Sequence, residues 1–133
     1  MFQLMRGTPF ETLNCMAQAI YDKKGANIMA LDVRGLSSIT DFLLIAEGNV
    51  DRHVTSIARG IIEEMDERGG PPLLRVEGLQ TGDWVVLDYG EIMVHLFMPG
   101  VRDKYCLERL WEESKLVDLD IDVSRPAIGE SKN

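Results

Sequence analysis

Five consecutive apolar residues, Phe42-Leu43-Leu44-Ile45-Ala46, constrain the fold of this chain more than any other feature. Side chains alternate between faces along a strand, so an unbroken apolar run implies burial on both faces. Such a strand belongs inside a sheet covered by helices. The sequence offers those helices on either side. Thr8-Pro9 followed by Glu11 reads as a helix start, with a hydroxyl cap, proline at the first position and an early acid. Leu13, Met16, Ala17 and Ile20 recur at helical spacing, and Gly25 after Lys23-Lys24 reads as the stop. A longer stripe of Val50, Val54, Ile57, Ala58, Ile61, Ile62 and Met65 has Asn49 or Asp51 as candidate caps. Gly69-Gly70-Pro71-Pro72 ends it.

Strands are expected at Asn27–Val33, Asp41–Ala46, Leu73–Glu77, Trp84–Tyr89 and Ile92–Met98, with turns at Gly35–Ser38 and Gly78–Gly82. Pro99-Gly100 breaks the last strand, and a final helix over Arg102–Lys115 carries Leu107, Leu110 and Trp111 inward. The stretch from Asp41 to Glu77 has the lengths of a βαβ crossover, which makes its two strands parallel. The fold class is therefore α/β (α+β): one domain over residues 1–123, with a mixed, roughly five-stranded sheet flanked by helices. Residues 124–133 read as a flexible C-terminal tail.

The 133 residues fit a single domain and carry a net charge of −8. That charge repels a phosphate backbone, and no basic stripe offsets it, so direct sequence-specific nucleic-acid binding is not expected. An acidic surface suits a basic protein partner, although it also serves simply to keep a protein soluble. Cys15 and Cys106 have no metal spacing or CxxC pattern and read as buried, reduced thiols. Met1–Phe10 has no sustained apolar run, and no segment approaches the ~20 apolar residues of a membrane span. A cytoplasmic protein without membrane contact is expected.

The segment from Gly82 to Gly90 carries the functional signal. With Gly90-Glu91 as the two loop residues of a type II′ turn, Tyr89 pairs with Ile92, Leu87 with Val94 and Val85 with Leu96. That face belongs on the core. The other face sets Trp84, Val86 and Asp88 across from Phe97, His95 and Met93. Aromatics beside a few charges make good binding hot spots, and a carboxylate in an apolar strand needs a partner. A core tryptophan and a hydrogen-bonded sheet histidine are the plainer readings of Trp84 and His95. Asp51 is favourable at the start of the long helix, and Arg52 and His53 form either a solvated first turn or a polar rim.

Catalytic patterns find no positive support. Gly48 before a helix lacks the lysine and spaced glycines of a phosphate loop. Asp118-Leu119-Asp120-Ile121-Asp122 starts like a calcium loop but lacks its glycine and closing glutamate. His53 and His95 alone do not define a zinc site. No cofactor, metal or catalytic residue is expected.

Several segments in order resemble one family. They are Asp41-Phe42, Gly48 with Asp51-Arg52-His53-Val54, Arg75-Val76-Glu77-Gly78, the run from Gly82 to Gly90, Val94-His95, and Tyr105 with Leu107-Glu108-Arg109-Leu110-Trp111. This pattern resembles the ribosomal silencing factor, or Iojap-like, family from the first helix to about Asp122. The resemblance implies a nucleotidyltransferase-like topology without the active site, and a non-enzymatic role. It implies binding to the fourteenth protein of the large ribosomal subunit. It further implies a steric block to subunit joining that represses translation under nutrient limitation. By the same resemblance Trp84, Asp88, Tyr89 and Gly90 supply the docking surface, with Asp51, Arg52 and His95 as neighbours. The family commonly has a threonine-serine pair after the helix-entry glycine and glutamine after Asp-Arg; here Asn49-Val50 and His53 occupy those places. The alternatives are a large-subunit assembly factor, or a nucleotidyltransferase-like enzyme using Asp83, Asp88 or the terminal aspartates. A homodimer of the free protein is left open.

Overall fold

The computed structural model describes residues 8–105 and 114–124. The elements are α1 (Pro9–Asp22), β1 (Ala26–Asp32), β2 (Phe42–Glu47), α2 (Asp51–Arg68), β3 (Arg75–Glu77), β4 (Trp84–Asp88), β5 (Ile92–Phe97), α3 (Pro99–Tyr105) and β6 (Lys115–Val117). They form a mixed six-stranded sheet in the order β3-β4-β5-β2-β1-β6. Strand β2 is central, and Phe42 to Ala46 are buried throughout, as an apolar run with no polar face requires.

Helix α1 starts and helix α2 stops where their local chemistry predicts. The Thr8 hydroxyl accepts from the Glu11 amide at 3.4 Å, and Leu13, Met16, Ala17 and Ile20 are fully buried. At the end of α1 it is Lys24, at φ 67°, that turns left-handed. Gly25 is needed for a different reason: a Cβ there would stand 2.3 Å from Ile20 Cγ2. Helix α2 ends in a Schellman arrangement, with Gly69 at φ 66° and the Gly70 amide on the Met65 carbonyl at 2.8 Å.

Helices α1 and α2 cover one face of the sheet and enclose the main core, to which β2 gives Phe42, Leu44 and Ala46 and the hairpin gives Val85, Leu87, Val94 and Leu96. The second face gathers Leu31, Val33, Leu43, Ile45 and Phe97, with Trp84, Met93 and Val101 packed against them. Arg102 of α3 is buried and donates to the Asn27 carbonyl at 2.8 Å and to Glu47 at 3.0 Å, pinning α3 to the ends of β1 and β2.

Four expectations are corrected. The parallel partner of β2 is β5, with Phe42 opposite Ile92 and Glu47 opposite Phe97. Strand β3 does run parallel to β2, but it lies at the far edge, two strands away. Pro99-Gly100 starts α3 at once, because the missing proline amide is free of obligation at the first helical position. A sixth strand, β6, pairs antiparallel with β1 and contains Lys115, so no helix reaches that residue. Val50 is 51% exposed, because it is the N-cap residue and stands outside the helical period. Leu107, Leu110, Trp111, Cys106 and residues 125–133 lie outside the described residues.

Candidate protein-binding site

The hairpin closes with the Tyr89 amide on the Ile92 carbonyl at 2.9 Å, leaving Gly90-Glu91 as the loop. Gly90 has φ 89° while Glu91 keeps a negative φ, which matches a type II′ turn. The register follows: Val85 opposite Leu96, Leu87 opposite Val94, and on the other face Trp84 opposite Phe97, Val86 opposite His95 and Asp88 opposite Met93. Asp88 finds its partner inside the fold. Its Oδ1 accepts the Gly90 amide at 2.9 Å, so the carboxylate braces the turn that follows it.

Trp84 is partly buried. Its ring lies 5.2 Å from that of Phe97, and its Nε1–H donates to His95 Nδ1 at 3.1 Å. His95 is 8% exposed and its ring runs nearly parallel to Phe97. Because Nδ1 accepts from the indole, the imidazole is neutral with its proton on Nε2, and burial pushes its pKa down to about 4. His95 is thus a positioning residue that fixes the indole in place.

Beyond Trp84 the face opens toward the sheet edge. Val86, Asp88 and Met93 are half-buried, and β3 adds exposed Arg75 opposite Asp88 and exposed Glu77 opposite Val86. Arg75 stands 3.4 Å from Glu77 and 3.9 Å from Asp88, an exposed charge network of modest worth. Arg75 and Glu77 were not anticipated as part of this face. Only the pairing of β3 with β4 puts them there, and a three-residue strand carries too little periodicity to announce it.

The remaining expected residues stand elsewhere. Tyr89 points to the helix-covered face and is 5% exposed. Asp51 and Arg52 are exposed on the first turn of α2, beside Gly82, where a Cβ would come within 2.6 Å of the Asp51 carbonyl. That turn is closed by His53, whose Nδ1 accepts the Asn49 amide at 2.8 Å while Nε2 donates to the Lys23 carbonyl at 2.7 Å. The imidazole thus braces the residue before the N-cap and ties α2 to the end of α1; neither Asn49 nor Asp51 caps the helix as expected, the N-cap residue being Val50, and Asp51 Oδ1 accepts only the adjacent Arg52 amide at 2.7 Å. Asp83 accepts from the Thr81 hydroxyl at 2.9 Å. Among the described residues, no three His, Cys, Asp or Glu side chains converge to hold a metal. No helix among them is long and apolar enough to cross a membrane.

A family profile described as "Ribosomal silencing factor during starvation" matches residues 8–133. The chain is 39% identical over 113 residues to the ribosomal silencing factor RsfS of Bacillus subtilis, spanning 85% of this chain and 95% of that one. The crystal structure of a protein from Bacillus halodurans superposes with a TM-score of 0.72 at 36% identity, covering 82% of this chain and 98% of that one. More distantly, the mouse protein named mitochondrial assembly of ribosomal large subunit protein 1 is 24% identical over 107 residues, spanning 79% of this chain and 46% of its own length. With sequence and fold in agreement over most of its length, the chain belongs to the ribosomal silencing factor family.

Proposed function

We propose that this protein docks on the fourteenth protein of the large ribosomal subunit and sterically blocks joining of the small subunit, repressing translation when nutrients are scarce. The mechanism makes and breaks no bond, so the protein acts in the cytoplasm as a binding factor and not as an enzyme. The observation that carries this reading is the Trp84 indole, locked by His95 and Phe97 at the boundary between buried sheet and open edge. A pre-positioned aromatic loses little entropy on binding, which is what a hot spot requires. In this reading Trp84, Asp88 and Gly90 contact the partner. His95 and Tyr89 hold the two ends of the strand in register, and Asp51 and Arg52 form a rim beside Gly82.

The test is co-sedimentation with purified large subunits. Trp84→Ala is expected to keep its secondary structure, lose about 1–2 kcal/mol of stability and abolish co-sedimentation. Val86→Glu sets a charge on the same half-buried face and is expected to abolish it too. Retained binding by both variants would sink the reading. An assembly role is the second reading, favoured by the name of the mouse relative. Depletion separates the two: precursor large-subunit particles accumulate if assembly fails, whereas subunits join unchecked in starved cells if silencing fails.

A further inference from the structure

His53 is half-buried between the end of α1 and the start of α2, and both of its ring nitrogens are in use. Nδ1 accepts the Asn49 amide at 2.8 Å, and Nε2 donates to the Lys23 carbonyl at 2.7 Å. A backbone amide only donates and a carbonyl only accepts, so one state of the ring satisfies both: neutral, with its hydrogen on Nε2. An imidazolium carries a hydrogen on Nδ1 as well, and two donors aimed at each other form no bond. The ring is a clasp that a single proton opens.

What the clasp holds leads to the docking face by two routes. Asn49 lies in the turn from β2 to α2, and its neighbour Gly48 donates to the Phe97 carbonyl at 2.9 Å. A Cβ at Gly48 would stand 2.9 Å from the Val54 nitrogen, so the turn is packed closely on its helix. Phe97 is the ring against which Trp84 lies. On the other route, the first turn of α2 carries Asp51 and Arg52 and abuts Gly82, just before Trp84. Thr55 fastens that contact, its hydroxyl donating to the Leu79 carbonyl at 3.4 Å.

The charged side chains on the elements meeting here are Asp22, Lys23 and Lys24 at the end of α1, Glu47 of β2, Asp51 and Arg52 of α2, and Asp83 ahead of β4. Asp22 is bonded by Gln18, Glu47 by Asn27 and Arg102, Asp51 by the Arg52 amide, and Asp83 by Thr81. Among the described residues no carboxylate pairs with the His53 ring. An imidazolium there gains no counter-ion to offset the bond it loses.

We infer, on the docking proposed above, that His53 is a positioning residue for that docking and makes it proton-sensitive. The neutral ring holds the turn from β2 to α2 in the binding geometry, and protonation releases it. Affinity for the large subunit then falls in acid while the fold persists.

Co-sedimentation with purified large subunits at pH 7.5 and pH 5.5 tests this, with circular dichroism at both to show the fold retained. His53→Gln keeps an oxygen for the Asn49 amide and an amino group for the Lys23 carbonyl, but it takes up no proton in this range. It is expected to match the wild type at pH 7.5. Between the two pH values the wild type is expected to lose about fivefold more affinity than His53→Gln, as one lost hydrogen bond requires. His53→Ala lacks the clasp throughout and is expected to bind about fivefold more weakly than the wild type already at pH 7.5. In the free protein, the Gly48 and Asn49 amide resonances should titrate together with the His53 ring, and stay in place in His53→Gln. Parallel loss of affinity by wild type and His53→Gln, or Asn49 and Gly48 amides indifferent to the ring, would overturn the inference. Failure of the docking reading shows separately, as Trp84→Ala binding like the wild type at pH 7.5.

Discussion

His95 and Arg102 are both polar, buried and engaged, yet they respond to change in different ways. The folded protein holds the His95 pKa near 4, whereas an unfolded chain titrates it near 6.5. Between those values the unfolded state binds the extra proton, so stability falls as pH drops from 6.5 toward 4. Full protonation of the unfolded form is worth about 3 kcal/mol. Thermal midpoints measured from pH 7 to pH 5 should therefore decline, and His95→Gln should flatten that decline. Arg102 is different because its charge is already matched by Glu47 at 3.0 Å. Arg102→Ala leaves that half-buried carboxylate without its counter-ion, holding only the Asn27 side-chain amide at 3.0 Å, at an expected cost of about 3 kcal/mol in urea unfolding. The strand position of His95 was legible from alternation. Its neutral state was not, because that depends on the indole donor across the pair and on burial.

Turn glycines show how element geometry sorts residues that look alike in the sequence. Gly78 and Gly90 both adopt positive φ, at 80° and 89°. A Cβ at Gly78 would stand 1.9 Å from the Trp84 carbonyl, which is backbone and cannot step aside. At Gly90 the nearest atom is Leu74 Cδ1 at 3.5 Å, an ordinary contact. Gly90→Ala should thus cost only the left-handed strain of about 1–2 kcal/mol. Gly78→Ala should cost more and displace β4, and equilibrium unfolding of the pair checks that ranking. The hairpin register was readable because a two-residue loop and a period of two leave few choices. The extended segment 118–123 was not. Its aspartates showed only the start of a calcium-loop pattern, but the Asn14 and Gln18 side chains accept from the Asp120 and Asp122 amides at 2.9 and 2.7 Å. Leu119 and Ile121 then alternate inward onto the core, a pattern that only contact with α1 makes meaningful.

At the scale of the whole molecule, the net charge of −8 bears on encounter more than on fold. If the docking partner is basic, association with large subunits should slow as ionic strength rises, while dissociation changes less. Stopped-flow measurement from low to physiological salt checks this, and an on-rate indifferent to salt would remove charge from the account.

What the sequence determined by itself were the features set by neighbours along the chain. These include both long helices, the doubly buried strand at Phe42–Ala46, and the hairpin with its two faces. Each follows from periodicity, capping or turn chemistry acting over a few residues. The tertiary structure decided the rest. It chose β5 as the parallel neighbour of β2, sent β3 to the far edge, and brought β6 back beside β1. It also placed Arg75 and Glu77 on the face of Trp84, and the His53 ring between the Asn49 amide and the Lys23 carbonyl. Strand order and side-chain encounters of this kind are settled by long-range burial, which local sequence does not encode.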